Sequence, residues 1–329
     1  MENTANTVQI DNLSHTIIPA QSVLSASDSD EWLMATHGKT FHFAARFLSP
    51  TLRRHIAILY AFFRTVDDLV DAPPAGRQRD DIRKEVENWR FWFTENHTFP
   101  APQEPLGTRL ASVLTEHCVP TTIFLDFLDG MSSDLKSQEI HDFQEMYRYC
   151  YRVAGTVGLA ITHMLGVRSP QALEAAEKLG IGMQLTNILR DVGGDLAAGR
   201  IYLPLEDLAR FDCSPTYLFQ LYRDQRGPDD RFRALMRYQV ARAHRYYVSG
   251  MSGIWLLPAE CRLPILLAGR LYRRILAEIE RKDYDVIRSR ASTSTTEKMR
   301  EAAIAFTLDR LWRRGEIFTA TEAGVPLED

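Results

Sequence analysis

Cysteine is scarce and scattered in this chain of 329 residues: Cys118, Cys150, Cys213 and Cys261 form no Cys-x-x-Cys pair. That spacing excludes a zinc-ribbon site and a disulfide framework, and it fits a reducing cytosol. Long apolar runs are missing too. The most apolar late stretch, Ile254 to Ala268, is broken by Pro258, Glu260, Arg262 and Pro264, too often for a bilayer span. Residues 1–30 are rich in Asn, Ser, Thr and Asp and have no basic start followed by an apolar segment, so they read as a flexible tail rather than a secretory signal. Positive charge is not in excess. A formal charge of −4 argues against a nucleic-acid footprint, and an anionic ligand would have to be met locally. No short internal repeat suggests a solenoid, and strict apolar/polar alternation between turn residues is rare.

Helix signals dominate what remains, and a hydrophobic content of 45% is ample for a large core. The pattern predicts an all-α chain with helices over about 30–47, 51–70, 78–95, 106–116, 121–131, 142–165, 170–192, 204–208, 215–223, 229–250, 259–281 and 294–314. Loops fall at Phe99 to Pro105 and at Arg226-Gly227-Pro228-Asp229, and Pro170 marks a first helical turn. These read as connections within one helical domain over 31–315, with residues 316–329 as a C-terminal tail.

Two aspartate-bearing segments carry the chemistry. Residues four apart share a helix face, so Asp67 stacks with Asp71, and Asn187 with Asp191 and Asp195. Clustered carboxylates repel unless a cation lies between them, and Mg²⁺ takes oxygen ligands shared among carboxylates, water and phosphates. The two columns, about 120 residues apart, look like halves of one magnesium site with a diphosphate as the third party. One such pair alone is common on solvated helix faces. Here the first column follows Ile56 to Phe63 in a stretch apolar on most sides, which suggests carboxylates facing a cavity.

Arginines accompany both columns: Arg64 precedes Asp68 by one turn, Arg190 adjoins Asp191, and Arg200 follows Asp195. Guanidinium forks suit phosphate oxygens, although each arginine alone reads equally as a partner for a neighbouring aspartate. A second constellation, Tyr147 to Gly158, combines aromatic faces suited to a carbocation with small residues that permit close approach of a helix or a long ligand.

Taken together, His37-Gly38-Lys39-Thr40-Phe41, Tyr60-x-x-x-Arg64-x-x-Asp67-Asp68-x-x-Asp71, Tyr149 with Val153 to Gly158, Gln184 to Asp191, Tyr202-Leu203-Pro204, Tyr272 and Asp283-Tyr284-Asp285-Val286 resemble the squalene/phytoene synthases, from about residue 35 to 290. The resemblance implies an isoprenoid-synthase helical bundle with a central cavity and head-to-head condensation of two prenyl diphosphates. It implies that Asp67, Asp71, Asp191 and Asp195, with Asn187, hold Mg²⁺ (Mn²⁺ as a substitute). Thr40, Tyr60, Arg64, Gln184, Arg190, Arg200 and Tyr272 would line the diphosphate region, and Tyr149 the reaction centre. Gly38 stands where relatives often carry serine, and Gly194 where many carry an acid; the Gly193-Gly194 pair is expected to loosen the second helix.

Of the outcomes the resemblance allows, proton loss to phytoene from geranylgeranyl diphosphate is preferred, without NADPH. Squalene or dehydrosqualene formation from farnesyl diphosphate is the alternative, and a terpene cyclase or a non-catalytic binding relative are more distant ones. The C20 preference rests on Ala44, Ala45 and Ala57, small where an aromatic would shorten a tunnel walled by the first two helices. The expected location is cytoplasmic. A C40 product invites a peripheral membrane contact through Leu311-Trp312-Arg313-Arg314, but an ordinary terminal helix packed on the core is the favoured reading of that segment.

Overall fold

The computed structural model describes residues 26–71, 76–135 and 139–314, and every regular element among them is helical. Of the expected tails, residues 1–25 and 316–329 lie outside the described residues, whereas 26–30, expected to belong to the first tail, are helical. The helices are α1 (Ala26–His37), α2 (Lys39–Ala45), α3 (Pro50–Asp71), α4 (Arg79–Thr94), α5 (Leu106–Glu116), α6 (Thr121–Asp134), α7 (Phe143–Cys150), α8 (Thr156–Met164), α9 (Pro170–Ala197), α10 (Leu205–Arg210), α11 (Pro215–Arg223), α12 (Asp230–Ser252), α13 (Ala259–Arg281) and α14 (Thr295–Arg313). Local chemistry sets many of the starts. Asp142, Ser169, Ser214 and Asp229 each accept a backbone N–H of the first turn, and Ser294 with Glu297 closes a capping box.

Three expected elements differ. The first helix begins at Ala26 and breaks at Gly38, which separates α1 from α2. A Cβ at that glycine would stand 2.8 Å from the Tyr60 ring, so the present position of the Tyr60 side chain depends on position 38 having none. The expected helix 142–165 is α7 and α8 joined by a π-helical turn, Tyr151–Gly155. The helix expected to stop at 192 runs on to Ala197, and the glycine pair does not loosen it. The reason is packing: a Cβ at Gly193 would lie 2.6 Å from the Ile287 carbonyl oxygen and 2.7 Å from that of Val286, so the backbone after α13 lies directly on this face of α9.

Buried side chains form two clusters. One gathers α9, α12 and α13 around Leu185, Phe232, Met236, Tyr247 and Leu267. The other gathers α3, α4, α5 and α6 around an aromatic nest in which Phe62 meets Trp89, Phe93 and Phe124 with ring centroids 5.1–5.6 Å apart. Ile265 packs on both. At the C-terminal end Leu311 and Trp312 are half-buried, with Trp312 against the first cluster, so this segment is a terminal helix packed on the core. Among the described residues no helix is long and apolar enough to cross a membrane.

Candidate active site

Between the two clusters lies a cavity of about 300 Å³. Ile56, Leu59 and Phe63 of α3 form one wall, and Leu179, Met183, Ile254 and Ala268 face them. Along α9 the lining runs from Ala172 to Asn187, which at 1.5 Å per residue is about 22 Å, so the cavity is a long slot. Its two ends differ in chemistry. Tyr60, Arg64, Asp67, Gln184 and Asn187 line one end, whereas the lower half of α9 contributes Ala172, Ala175 and Ala176 beside Gly253 and Leu257. Val153, Ala154, Val157 and Gly158 also line it, so the small-residue segment serves the cavity as well as helix packing.

Ala44, Ala45 and Ala57 do not line this slot, contrary to expectation. Ala44 belongs to the first packing cluster, and Ala45 and Ala57 to the second; all three are buried. The wall is built instead by their neighbours on other faces of the same helices, Phe41, Ile56, Leu59, Tyr60 and Phe63.

At the polar end the two aspartate columns face each other. Asp67 opens into the cavity, while Asp71, at the last turn of α3, is exposed, so the column leads from cavity to solvent rather than being enclosed throughout. Arg64 pairs with Asp68 and reaches Asp67 at 3.4 Å. Arg200 donates to Asp71 at 2.8 Å, tying the segment after α9 to the end of α3. Asp191 accepts from Arg190 at 2.9 and 2.6 Å and from Arg290 at 2.6 and 2.9 Å. Asn187 donates to Gln184 at 3.1 Å, but its own Oδ1 is buried without a hydrogen-bond partner.

Electrostatics divide these acids into two kinds. Burial, reinforced by neighbouring Asp71, pushes the Asp67 carboxyl up to about 6. Burial, with Asp191 and Asp71 nearby, raises Asp195 to about 7. At Asp191 burial pulls upward too, but the hydrogen bonds and charges of Arg190 and Arg290 outweigh it and hold that carboxyl below its ordinary value. The site therefore contains one well-compensated carboxylate and several that repel one another.

Tyr149 is half-buried beside this centre and is not part of the slot's lining. Its ring stacks on Tyr202 with centroids 5.2 Å apart, and its hydroxyl donates to Asp134 at 3.1 Å. Burial and the Asp134 charge push the Tyr149 phenol well above 10, so it remains protonated. Burial and the charge of Asp71 raise Asp134 to about 7. Tyr202 in turn lies 3.4 Å from Arg200, which closes a chain from Asp134 through two tyrosines to Asp71. Tyr272 lines the slot against Phe41, with centroids 5.2 Å apart. Thr40 is half-buried on α2 next to Phe41 and takes no part in the acid–arginine network among the described residues.

Two participants were not singled out from the sequence, Asp134 and Arg290. Asp134 ends α6 with no motif around it. Arg290 is brought in by a turn: Asp283 and Tyr284 both adopt positive φ, 54° and 62°, which reverses the chain after α13 and lays residues 286–290 across the end of α9. The Asp283-Tyr284-Asp285-Val286 segment thus has a geometric role, and a cation seven residues beyond that turn was the available signal.

The sequence pattern of the squalene/phytoene synthase family matches residues 34–297. The chain is 37% identical over 282 residues to a phytoene synthase from Arthrospira platensis, covering 81% of this chain and 88% of that one. To a 15-cis-phytoene synthase from Synechococcus elongatus it is 34% identical over 306 residues, covering 87% and 95%. Among solved structures a dehydrosqualene synthase in complex with ligand superposes with a TM-score of 0.76 at 27% identity, covering 85% of this chain and 95% of that chain. A squalene synthase from Alicyclobacillus acidocaldarius shares the fold, with a TM-score of 0.66 at 23% identity over 80% of this chain and 97% of its own. Motif order, helical architecture and relatives of matching length agree: the chain belongs to the squalene/phytoene synthase family.

Proposed function

We propose that this chain is a prenyl transferase that joins two geranylgeranyl diphosphates head to head, by way of a cyclopropylcarbinyl (prephytoene) diphosphate, to phytoene. The observation that carries the reading is the slot itself, polar and cation-bearing at one end and apolar along the rest, which suits a diphosphate head with an isoprenoid tail. The relatives at 34–37% identity are phytoene synthases, which supports the C20 substrate over the C15 one.

The chemistry has two ionisations. In the first, the C–O bond of one substrate breaks, diphosphate leaves, the double bond of the second substrate attacks the allylic cation and a proton is lost as the cyclopropane closes. In the second, the C–O bond of that intermediate breaks, the second diphosphate leaves, the ring opens by rearrangement and proton loss gives the central double bond. No hydride enters, so NADPH is not required.

In this reading Arg64, Arg190, Arg200 and Arg290 meet the departing negative charge, with Tyr60, Gln184, Tyr272 and Thr40 around the diphosphates. The apolar walls keep water from the cation. Tyr149, protonated and hydrogen-bonded to Asp134, stands beside the slot with its ring stacked on Tyr202, and in this reading Asp134 takes a proton relayed through the Tyr149 hydroxyl. The donor set fits a hard divalent cation: Asp67, Asp71, Asp191, Asp195 and Asn187 offer only oxygen in this role, the Asn187 oxygen is unpartnered, and the repulsion among the acids is what a cation relieves. When bound, Mg²⁺ supplies charge to hold and stabilise the diphosphates.

The test is a product assay. Purified protein with Mg²⁺ is given geranylgeranyl or farnesyl diphosphate, with and without NADPH, and the extracted hydrocarbon is weighed by mass spectrometry. A C40 product without NADPH is expected. A C30 product would move the chain to the squalene or dehydrosqualene synthases, and no hydrocarbon from either substrate would overturn the synthase reading.

A further inference from the structure

His55 lies near the start of α3, 12 residues before Asp67, which at 1.5 Å per residue is about 18 Å along the helix from the acidic column. There its Nδ1 stands 2.9 Å from the Nε2 of His117, and both nitrogens are 3.8 Å from the same oxygen, Oε1 of Glu116. Neither imidazole is freely solvated: their side chains are 16% and 18% exposed, while Glu116 at 56% faces water. The rings meet nearly at right angles, with an interplanar angle of 79°.

The three donor atoms form a triangle with sides of 2.9, 3.8 and 3.8 Å. A point equidistant from all three lies about 2.1 Å from each, the bond length of Zn²⁺ to imidazole nitrogen or carboxylate oxygen. A tetrahedral ion needs ligands about 3.3 Å apart, so the two nitrogens would open by roughly 0.4 Å while the carboxylate closes by a similar amount. The backbone that carries two of the ligands is held from outside. Glu116 ends α5, His117 caps it, Cys118 turns the chain with φ 49°, and Arg168 donates to the His117 carbonyl oxygen. Burial lowers the His55 imidazole from its ordinary value, against the raising pull of Glu116, and the charges of His117 and Arg54 add lesser downward pulls. A neutral ring is the form that ligates.

We propose that His55, Glu116 and His117 form a binding site for a borderline divalent ion of the Zn²⁺ class, separate from the aspartate columns, with a fourth position open to water. Two imidazoles and one carboxylate select Zn²⁺, Co²⁺ or Ni²⁺ over Mg²⁺, which prefers an all-oxygen shell. The ion would replace the proton shared between the two histidines and clamp the start of α3 to the end of α5. Three protein ligands with one open position is a composition also found where zinc meets solvent.

The experiment uses the full chain, stripped with a chelator and kept in millimolar Mg²⁺ so that the oxygen-rich columns are occupied. Co²⁺ is titrated and read by visible absorption, then displaced with Zn²⁺. One Co²⁺ per chain with the strong absorption of a low-coordinate, nitrogen-bearing site is expected. His55→Gln and His117→Gln should each weaken it by more than the roughly 10–100-fold that follows loss of a supporting partner, with circular dichroism unchanged. Glu116→Gln, at an exposed position, tests the third ligand without burdening the fold, and Zn²⁺ should raise the Tm of the wild type but not of this variant. Only the weak absorption of a six-coordinate oxygen site, or an unchanged spectrum in His117→Gln, would overturn the proposal.

Discussion

At the scale of single residues, Asp67 and Asp191 do different work. Asp67 is open to the cavity and poorly compensated, while Asp191 is held as an anion by two arginines. Replacing either with alanine removes an oxygen donor from the proposed cation site, and turnover should fall on the order of 100-fold or more, with circular dichroism unchanged. Normal turnover in a folded Asp67→Ala protein would sink the cation reading. Gly38 supports a second residue-scale prediction. A Cβ there meets three Tyr60 atoms, Cε2, Cζ and Oη, at 2.8–2.9 Å, so Gly38→Ser must displace the tyrosine from the polar end of the slot. Overpacking of this kind costs about 1–3 kcal/mol, which a urea titration would register as a lower midpoint, and KM should rise as Tyr60 moves. An unchanged midpoint would mean that α2 moves away freely. The space a serine would need at this position is filled by the tyrosine hydroxyl.

At the scale of elements, the slot's length is controlled by α9. Ala176 is half-buried, lines the cavity and lies 11 residues from Asn187, about 16 Å by helical rise. Ala176→Phe should close the lower slot and shift kcat/KM from C20 toward C15 substrate by tenfold or more, on the order of what a few methylenes contribute in an apolar pocket. Ala45→Phe should instead lower stability without changing chain-length preference, because Ala45 is 4% exposed within a packing cluster. Competition between geranylgeranyl and farnesyl diphosphate separates the two variants. The same pair marks what was legible beforehand. Periodicity and caps sufficed to place α13 and α11 to the residue, and four-residue spacing aligned Asp67 with Asp71 on α3 and Asp191 with Asp195 on α9, whereas the meeting of the two helices is a matter of packing. Which face of α3 meets the slot was not readable, because that helix is apolar on several sides and only its packing partners decide. Likewise the π-helical turn after Cys150 and the continuation of α9 through Gly193 depend on what lies against them, not on propensity. Arg290 was invisible for a related reason: it reaches Asp191 across 99 positions by way of a left-handed turn.

At the scale of the whole molecule, the acids govern how stability responds to pH and to cations. In the folded chain Asp195 and Asp134 are raised to about 7, whereas an unfolded aspartate titrates near 4. Between those values the folded state binds more protons than the unfolded one, so the free energy of unfolding falls as pH rises and levels off above the folded-state pKa. Other groups act elsewhere: Asp191 and Glu297, held low, contribute below the ordinary carboxylate range, and the neutral-leaning His42, His55, His97 and His163 act mainly below about 6.5 with the opposite sign. Buried thiols, raised like the acids, act only at higher pH. The informative window is therefore about pH 6.5 to 7.5, where the charges facing Asp195 include Asp71, Asp191, Arg190, Arg200 and Arg290. Across it the Tm of cation-free protein should fall, and Asp195→Asn, which removes one titrating acid and keeps the helix, should fall less steeply. Mg²⁺ adds the compensating charge that the folded state lacks, so its stabilisation should grow with pH in the same window. Thermal melts of wild type and Asp195→Asn, with and without Mg²⁺, decide the matter. A Mg²⁺ shift that is the same at both ends of the window, or unaffected by the substitution, would show that the cation does not bind between the columns.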